Sequence, residues 1–197
     1  MNKSLSFKNL KKLYNEKHKS VPEIARLSEC SENKVNYWLA KYQIKKRTIS
    51  EAIYVKHNPK GDPFKFIVPK SAEDAELFGL GLGLYWGEGT KANKDSIRLG
   101  NTDPNLIKKF IEFLIRFFSI KKKDLHFGLQ IFSDIEVERA LDFWIKRLKI
   151  KRSQFYKPII SISGSIGTYK KKSEYGVLTV MYHNKKLRNL LVELLPK

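Results

Sequence analysis

Three glycines at four-residue intervals interrupt the most apolar stretch of this chain. Residues 79–89 read GLGLGLYWGEG, and this composition predicts a helix in which Gly79, Gly83 and Gly87 lie on one face. Each glycine inside a helix costs roughly 1 kcal/mol relative to alanine. The spacing therefore predicts that a second backbone approaches this face closely, because a glycine stripe lets two helices nearly touch.

The same stretch ends in a carboxylate, Glu88, which is followed by Gly89. Ser71 supplies an N-cap and acidic residues follow it, so we expect the helix to run over residues 72–87. A carboxylate at the C-terminal, negative end of a helix is disfavoured unless a cation joins it. Two such helices packed in parallel would bring two carboxylates together, an arrangement suited to holding a divalent metal ion.

Positive charge dominates the composition. The chain has 39 Lys and Arg against 20 Asp and Glu, a net charge of +19, and both its first 70 residues and the remainder share the excess. Such a surplus favours a polyanionic partner. We expect no membrane partner, since no apolar run reaches the roughly 18 residues that span a bilayer and no signal peptide opens the chain. Nucleic acid is therefore the favoured partner.

The chain contains a single cysteine, Cys30. One cysteine supports neither an internal disulfide nor a CxxC metal site, and the four histidines show no metal-ligand spacing. We therefore expect a cytoplasmic protein that is associated with the nucleoid when it is bound to DNA.

Residues 1–47 predict a small all-α domain. Three short helices are expected over residues 7–16, 21–27 and 32–42. Ser20 and Ser31 supply N-caps for the second and third helices, with a tight turn between them. The side chains expected to form the core between these helices are Ile24, Leu27, Val35, Trp38, Leu39 and Ile44.

The pattern VPEIARLSECSENKVNYWLAKYQI resembles helix-turn-helix domains of resolvase-like and sigma-like type. This resemblance implies that the third helix enters the major groove of DNA. The candidate DNA-binding residues on and after this helix are Asn33, Lys34, Asn36, Tyr37, Lys41, Lys45, Lys46 and Arg47. Asn is suited to adenine, and Lys to guanine or phosphate. The alternative is a three-helix module that binds another protein.

Residues 48–70 predict a linker. A short helix is expected over residues 50–57, and NPKGDP at residues 58–63 is a dense turn signal. Residues 64–68 are expected to form an extended segment that lies on one of the two domains.

Residues 71–197 predict an α+β domain in which strands alternate with helices that have one apolar face. Strands are expected over residues 96–99, 126–132, 158–163 and 176–182. Asp103 and Asn184 are expected to cap the helices that follow the first and last strands. The pattern predicts a sheet with helices on one face and the other face free.

The segment GLGLYWGEG, residues 81–89, resembles the LAGLIDADG signature of homing endonucleases. Gly83, Leu84 and Gly89 match the signature, and Glu88 stands at its catalytic acid. The resemblance spans residues 71–197 and implies an endonuclease in which Glu88 is both the catalytic residue and the Mg²⁺ ligand. The alternative is a glycine-rich core helix in which Glu88 only begins a turn.

The resemblance also implies a homodimer, because the chain contains one copy of the signature. The stripe of Gly79, Gly83 and Gly87 would form its two-fold interface, and the free sheet face would be a saddle for double-stranded DNA with a pseudo-palindromic site. The family core usually has two strands after the signature helix. Here the strand after Glu88 is expected to be short or absent, and a helix over residues 134–148 intervenes.

Basic residues near the scissile phosphate also belong to this resemblance. Lys91 and Lys171 are the catalytic candidates, by position only. Lys170 and Lys172 lie in a long basic hairpin that is well placed to track phosphates. Two other functions stay open: a transcriptional regulator that kept the fold and lost cleavage, and an RNA-binding intron maturase.

Overall fold

A computed structural model describes residues 5–162 and 173–196 of the chain. The chain divides into two compact units, Met1–Pro63 and Phe64–Lys197. Each unit has its own cluster of buried apolar side chains. The boundary between the units falls inside residues 48–70, so the predicted linker is shared between them.

The N-terminal unit is entirely helical in its described residues. Its helices are α1 (Phe7–Lys11), α2 (Val21–Leu27), α3 (Glu32–Lys41) and α4 (Ile49–His57). A π-helical turn, Lys12–Glu16, continues α1. The side chains of Ser20 and Ser31 accept hydrogen bonds from the backbone N–H groups of Glu23 and Lys34, which begins α2 and α3 at the predicted residues.

The core of this unit lies between α1, α2 and α3. Its fully buried side chains are Leu10, Ile24, Val35 and Leu39. The prediction that Leu27 joins this core is wrong, since Leu27 is 62% exposed. The buried face of α2 passes through Ile24 and Ala25, and Leu27 lies about 200° around the helix from Ala25.

The C-terminal unit is a mixed four-stranded sheet with helices, so the α+β class is confirmed. Its strands are β1 (Ile97–Asn101), β2 (His126–Phe132), β3 (Ile159–Ser161) and β4 (Val177–Tyr182). Its helices are α5 (Ala72–Glu88), α6 (Pro104–Phe118), α7 (Val137–Leu148) and α8 (Lys185–Glu193). The order across the sheet is β1-β4-β2-β3, antiparallel except for the β2–β3 pair.

One face of this sheet is buried beneath the helices. Leu99, Val180 and Phe127 lie opposite one another on β1, β4 and β2, and none is more than 1% exposed. They share a core with the aromatic side chains of α6, including Phe110 and Phe113. The alternate strand positions, such as Arg98 and Gln130, remain partly or fully exposed apart from the buried Met181, so the predicted free face is present among the described residues.

The strand predicted to be short or absent after Glu88 is reduced to a single bridge. Gly89 pairs with Leu99, and the N–H of Thr90 donates to the carbonyl oxygen of Arg98 over 2.9 Å. Asp103 and Asn184 cap α6 and α8, as expected. The predicted helix between β2 and β3 is α7.

Residues 64–68 lie along the C-terminal unit, which is one of the two placements that the sequence predicts. The N–H groups of Lys65 and Ile67 donate to the carbonyl oxygens of Phe118 and Phe117 over 3.1 Å and 2.8 Å. Phe66 stacks on Phe118 with ring centroids 5.6 Å apart. This segment is therefore part of the folded unit and not a free linker.

Candidate nucleic-acid interface

The outward side of α3 carries the polar residues that the sequence predicts to read DNA. Asn33, Tyr37 and Lys41 are exposed, whereas Lys34 and Asn36 are half-buried on its flanks. The ammonium group of Lys41 lies 4.9 Å from the ring centroid of Trp38. An aromatic ring beneath a lysine limits where its charge can lie, which favours a fixed contact.

Arg47 faces inward, although the sequence predicts that it contacts DNA. Its guanidinium donates hydrogen bonds to the carbonyl oxygens of Tyr14, His18 and Lys19 over 3.1, 3.1 and 2.6 Å. It also lies 4.1 Å from the ring centroid of Tyr14. These contacts give Arg47 a role in folding the N-terminal unit, whereas the neighbouring Lys45 and Lys46 are exposed.

The glycine stripe of α5 faces open space among the described residues. A Cβ atom added to Gly79, Gly83 or Gly87 would have no other heavy atom within 4 Å. Leu80 and Trp86 flank the stripe and are 44% and 57% exposed. We call this surface, made by Gly79, Leu80, Gly83, Trp86 and Gly87, the open face of α5.

The opposite side of α5 holds the glycine that its own chain requires. A Cβ atom at Gly81 would lie 2.1 Å from Cγ of Phe113 on α6, a distance that two carbon atoms do not tolerate. The sequence singled out the stripe and missed the packing role of Gly81. Tyr85, one helical turn along the same side, is fully buried and stacks on Phe110 of α6. This i, i+4 spacing was the signal that could have identified the inner face.

Glu88 is exposed at the last residue of α5. Gly89 ends the helix by donating its N–H to the carbonyl oxygen of Tyr85 over 2.9 Å. A Cβ atom at Gly89 would lie 2.3 Å from the Tyr85 ring, so glycine is required there for space. The described residues contain no group of three His, Cys, Asp or Glu side chains that could hold a metal ion.

A single carboxylate fits Mg²⁺ only as part of a larger set of ligands. Mg²⁺ in proteins is usually held by one or two carboxylates, substrate phosphates and several waters. Glu88 provides one such hard oxygen donor in each chain. The remaining donors would come from a second copy, from DNA and from solvent.

Lys91 lies beside Glu88 but is engaged with the helix end. Its ammonium donates a hydrogen bond to the carbonyl oxygen of Trp86 in the last turn of α5. A cation at this end offsets the negative pole of the helix. Arg188 donates to the carbonyl oxygens of Lys91 and Asn93, which ties this loop to α8. Lys170, Lys171 and Lys172 lie outside the described residues.

Tyr85 leaves one polar atom unsatisfied beneath this loop. Its hydroxyl has no hydrogen-bond partner among residues 5–162 and 173–196. Burial raises the pKa of Tyr85, and the nearby Arg188 guanidinium offsets part of the rise. The Tyr85 ring is held by stacking on Phe110 of α6.

The basic run at residues 121–123 is partly structural. The ammonium of Lys122 donates to the carbonyl oxygen of Leu148, and Gln154 donates to the carbonyl oxygen of Lys122 over 2.9 Å. Burial, followed by repulsion from Lys149 and Lys108, lowers the pKa of Lys122. This lysine therefore joins α7 to the loop before β2, whereas Lys121 and Lys123 are exposed.

The free face of the sheet carries a group that sequence reasoning missed. His126, Tyr156 and His183 come together at one end of that face, and we call them the histidine cluster. The three residues come from separate parts of the chain. Their meeting depends on strand register, and the alternation around Phe127 was the only sequence signal that pointed His126 away from the core.

No helix of the described chain combines the length and the apolar character needed to cross a bilayer. Comparisons of the sequence and the structure with family models, with curated proteins and with solved structures found no match.

Proposed function

We propose that this protein is a homodimeric, Mg²⁺-dependent DNA endonuclease of the LAGLIDADG type, with a helix-turn-helix unit that adds to DNA binding. One observation carries the proposal: at three glycines the open face of α5 meets no atom from elsewhere in residues 5–162 and 173–196, and it ends at the exposed Glu88. The open face and the carboxylate belong to the same helix.

The dimer explains why the stripe is glycine. Each of these glycines costs the helix roughly 1 kcal/mol relative to alanine, and no neighbouring atom in the described part of the chain requires any of them. A second copy of α5, packed about a two-fold axis, would use the missing side chains for close backbone approach. The exposed Leu80 and Trp86 would then be covered.

In such a dimer the two Glu88 carboxylates would meet at one end of the interface. Mg²⁺ bound there would supply Lewis-acid activation of the scissile phosphate and of the attacking water. Glu88 from each protomer would contribute an oxygen ligand. Lys91 holds the last turn of α5 and thereby fixes the position of Glu88, so we assign it a positioning role.

DNA binding in this proposal has two parts. The free face of the sheet would receive the duplex near the cleavage site. The exposed residues of α3 and the lysines that follow it would bind a second stretch of duplex, with Asn33 suited to adenine and Lys45 to phosphate. Affinity should then fall by about 0.9 log unit per log unit of salt for each phosphate neutralised.

A non-cleaving regulator is the second candidate. One observation favours it: the ammonium of Lys91, a candidate catalytic group, is already engaged with the carbonyl oxygen of Trp86. A regulator would use the same dimer and the same DNA-binding surfaces. Only Glu88 separates the two functions, because a regulator has no need of that carboxylate.

The test is a selection from a random duplex library with and without Mg²⁺, in which bound molecules and cut ends are sequenced separately. We expect the wild type to give Mg²⁺-dependent cut ends at a pseudo-palindromic site. Glu88→Gln should keep binding and reduce cleavage by about 100-fold or more, because the loss of a ligand exceeds the 10–100-fold cost of losing its outer-shell partner. Glu193→Gln removes an exposed carboxylate from the last residue of α8 and should leave cleavage unchanged.

Bound sites without cut ends in the wild type would contradict the endonuclease and support the regulator. Equal cleavage by wild type and Glu88→Gln would remove Glu88 from the mechanism. Competition by RNA that exceeds competition by duplex DNA would overturn both proposals.

A further inference from the structure

The histidine cluster is built from three closely packed rings on the free face of the sheet. His126 of β2 stacks on Tyr156 with ring centroids 5.5 Å apart, and His183, which follows β4, meets His126 edge-on at 5.4 Å. The Tyr156 hydroxyl lies 2.9 Å from Nε2 of His183. The backbone N–H of Tyr156 donates to the carbonyl oxygen of Phe127 over 2.8 Å, which holds the tyrosine against β2.

Arg98 places a permanent positive charge on the same face. In the sheet register Arg98 of β1 and His126 of β2 both lie opposite Met181 of β4, so the two side chains flank one position. The Nε–H of Arg98 donates to the Ser96 hydroxyl over 2.9 Å. Its terminal amino groups make no hydrogen bond or ion pair within the described parts of the chain.

His126 has a polar atom that nothing satisfies. Its Nδ1 is buried and has no hydrogen-bond partner among the described residues. Such an atom is expensive to bury. Because Nδ1 is covered, Nε2 is the ring nitrogen of His126 that is left to contact a ligand. The ring stacking with Tyr156 holds the imidazole in place.

The groups around the cluster are positive or neutral. His183 is faced by Arg98 from β1, His126 from β2 and Tyr156 from the segment before β3, and no histidine forms an ion pair with a carboxylate in the described residues. Asp124, which precedes β2, acts on Tyr182. Burial, followed by the charges of His126 and Arg98, lowers the pKa of His183. The site therefore lacks an anion.

We propose that Arg98, His126, Tyr156 and His183 bind one backbone phosphate of duplex DNA, and that the two imidazoles take up protons when that phosphate binds. The inference rests on the proposed function, because it takes the free sheet face to be a DNA surface. A phosphate would accept N–H hydrogen bonds from the guanidinium and from both protonated rings, which are the strong, charge-assisted kind.

Proton uptake makes DNA affinity depend on pH in a defined direction. The bound phosphate raises the pKa of each imidazole above its value in the free protein. The gain in affinity is therefore complete below the free-protein pKa and is lost as pH rises through the pKa of the complex. Each proton taken up changes affinity by up to about tenfold per pH unit within that window.

The experiment measures binding of the full-length chain to a labelled duplex by anisotropy at pH 5.5 to 8.0, at constant salt and without Mg²⁺. We expect the wild type to bind about tenfold more tightly at pH 6 than at pH 8. His126→Gln and His183→Gln should each lose part of that pH dependence, and the double variant should lose all of it. His57→Gln changes an exposed histidine of the N-terminal unit and should behave as the wild type.

A second measurement does not depend on the variants folding. In wild-type protein the imidazole proton resonances are titrated with and without the duplex, and again with inorganic phosphate as the probe. Both cluster pKa values should rise with duplex, whereas the pKa of His57 should not follow them.

Binding that persists with the same pH dependence in all variants, or cluster pKa values that do not move, overturns the phosphate site while the DNA-binding proposal stands. No binding at any pH overturns the proposed function and this site with it. Cluster pKa values that rise with inorganic phosphate but not with duplex would show a site for free anions, and they would overturn the assignment to DNA.

Discussion

The two sides of α5 use glycine for opposite reasons. On the inner side, Gly81 is required because a Cβ atom would lie 2.1 Å from Phe113 of the same chain. On the open face, a Cβ atom at Gly79, Gly83 or Gly87 would meet no atom from elsewhere in the described residues within 4 Å. One glycine is thus explained by the fold of a single chain, and three are not.

This difference separates a glycine that is required by a contact within the described residues from three glycines that are not. The helix cost of the three open-face glycines is left unexplained by the described residues, and the proposed second copy of α5 would account for it. The same distinction separates Arg47, whose guanidinium donates to three carbonyl oxygens of its own unit, from the exposed Lys46. Substitutions on the two sides of α5, and at these two basic residues, should therefore act in different ways.

The largest effect is expected at the inner side of α5. Gly81→Ala forces a methyl group into Phe113, and overpacking of this kind costs about 1–3 kcal/mol or more. The higher helix propensity of alanine offsets only part of this overpacking cost. Urea unfolding should show a clear loss of stability of the C-terminal unit. Stability equal to that of the wild type would mean that α5 and α6 do not pack as closely as described.

A smaller loss is expected when Arg47 is replaced. Arg47→Gln removes three hydrogen bonds from a charged donor. Because water can hydrogen-bond to some of the carbonyl oxygens that lose this donor, we expect about 1–2 kcal/mol of destabilisation. Thermal unfolding of the N-terminal unit measures it. The matched variant Lys46→Gln should unfold as the wild type and bind DNA more weakly. If Arg47→Gln instead bound DNA more weakly without losing stability, Arg47 would belong to the DNA-binding surface.

A substitution on the open face should stabilise the isolated chain, in contrast to the two substitutions above. Gly79→Ala adds a methyl group where nothing lies within 4 Å, so the isolated chain should gain up to about 1 kcal/mol. The measurement is urea unfolding over a range of protein concentrations, since self-association adds its own stability. The gain should appear at low concentration and shrink at high concentration. A loss at every concentration would show that the open face is occupied within one chain.

The smallest effect concerns the cap of α2. Glu23 accepts hydrogen bonds from the Ser20 backbone and from Lys19 and the Ser20 hydroxyl, which lower its pKa to about 2. A lowered carboxyl pKa contributes stability that is present above the ordinary value of 4.5 and is lost as pH falls towards 2. Because the side chain is well exposed, we expect only a few tenths of a kcal/mol. Carboxyl titration by NMR in wild type and Ser20→Ala measures it, and an unchanged pKa in the variant would contradict the cap.

Much of the fold could be predicted because its signals are local. Ser20, Ser31, Ser71 and Asp103 begin helices where the sequence places them, since an N-cap bonds to a backbone N–H two or three residues away. The free sheet face follows from alternation along the strands in the same way. Each of these signals is complete within a few residues.

The remainder depends on contacts that the local pattern does not contain. Nothing near Gly81 reveals that Phe113 will lie against it, and nothing near Arg47 reveals three carbonyl oxygens that come from residues 14–19. The histidine cluster requires the register of β1, β4 and β2 before its members can meet. These features arise from tertiary packing, and local sequence patterns therefore do not predict them.

The most direct test of the account is the mass of the protein in solution, measured by sedimentation equilibrium for wild type, Gly83→Leu and Lys146→Leu. Gly83→Leu places a bulky side chain on the open face, whereas Lys146→Leu adds leucine at an exposed position of α7. We predict that the wild type and Lys146→Leu are dimers and that Gly83→Leu is a folded monomer with unchanged circular dichroism. A monomeric wild type, with or without DNA, or a Gly83→Leu dimer of unchanged affinity, would contradict the claim that two copies of α5 pack together through their glycines.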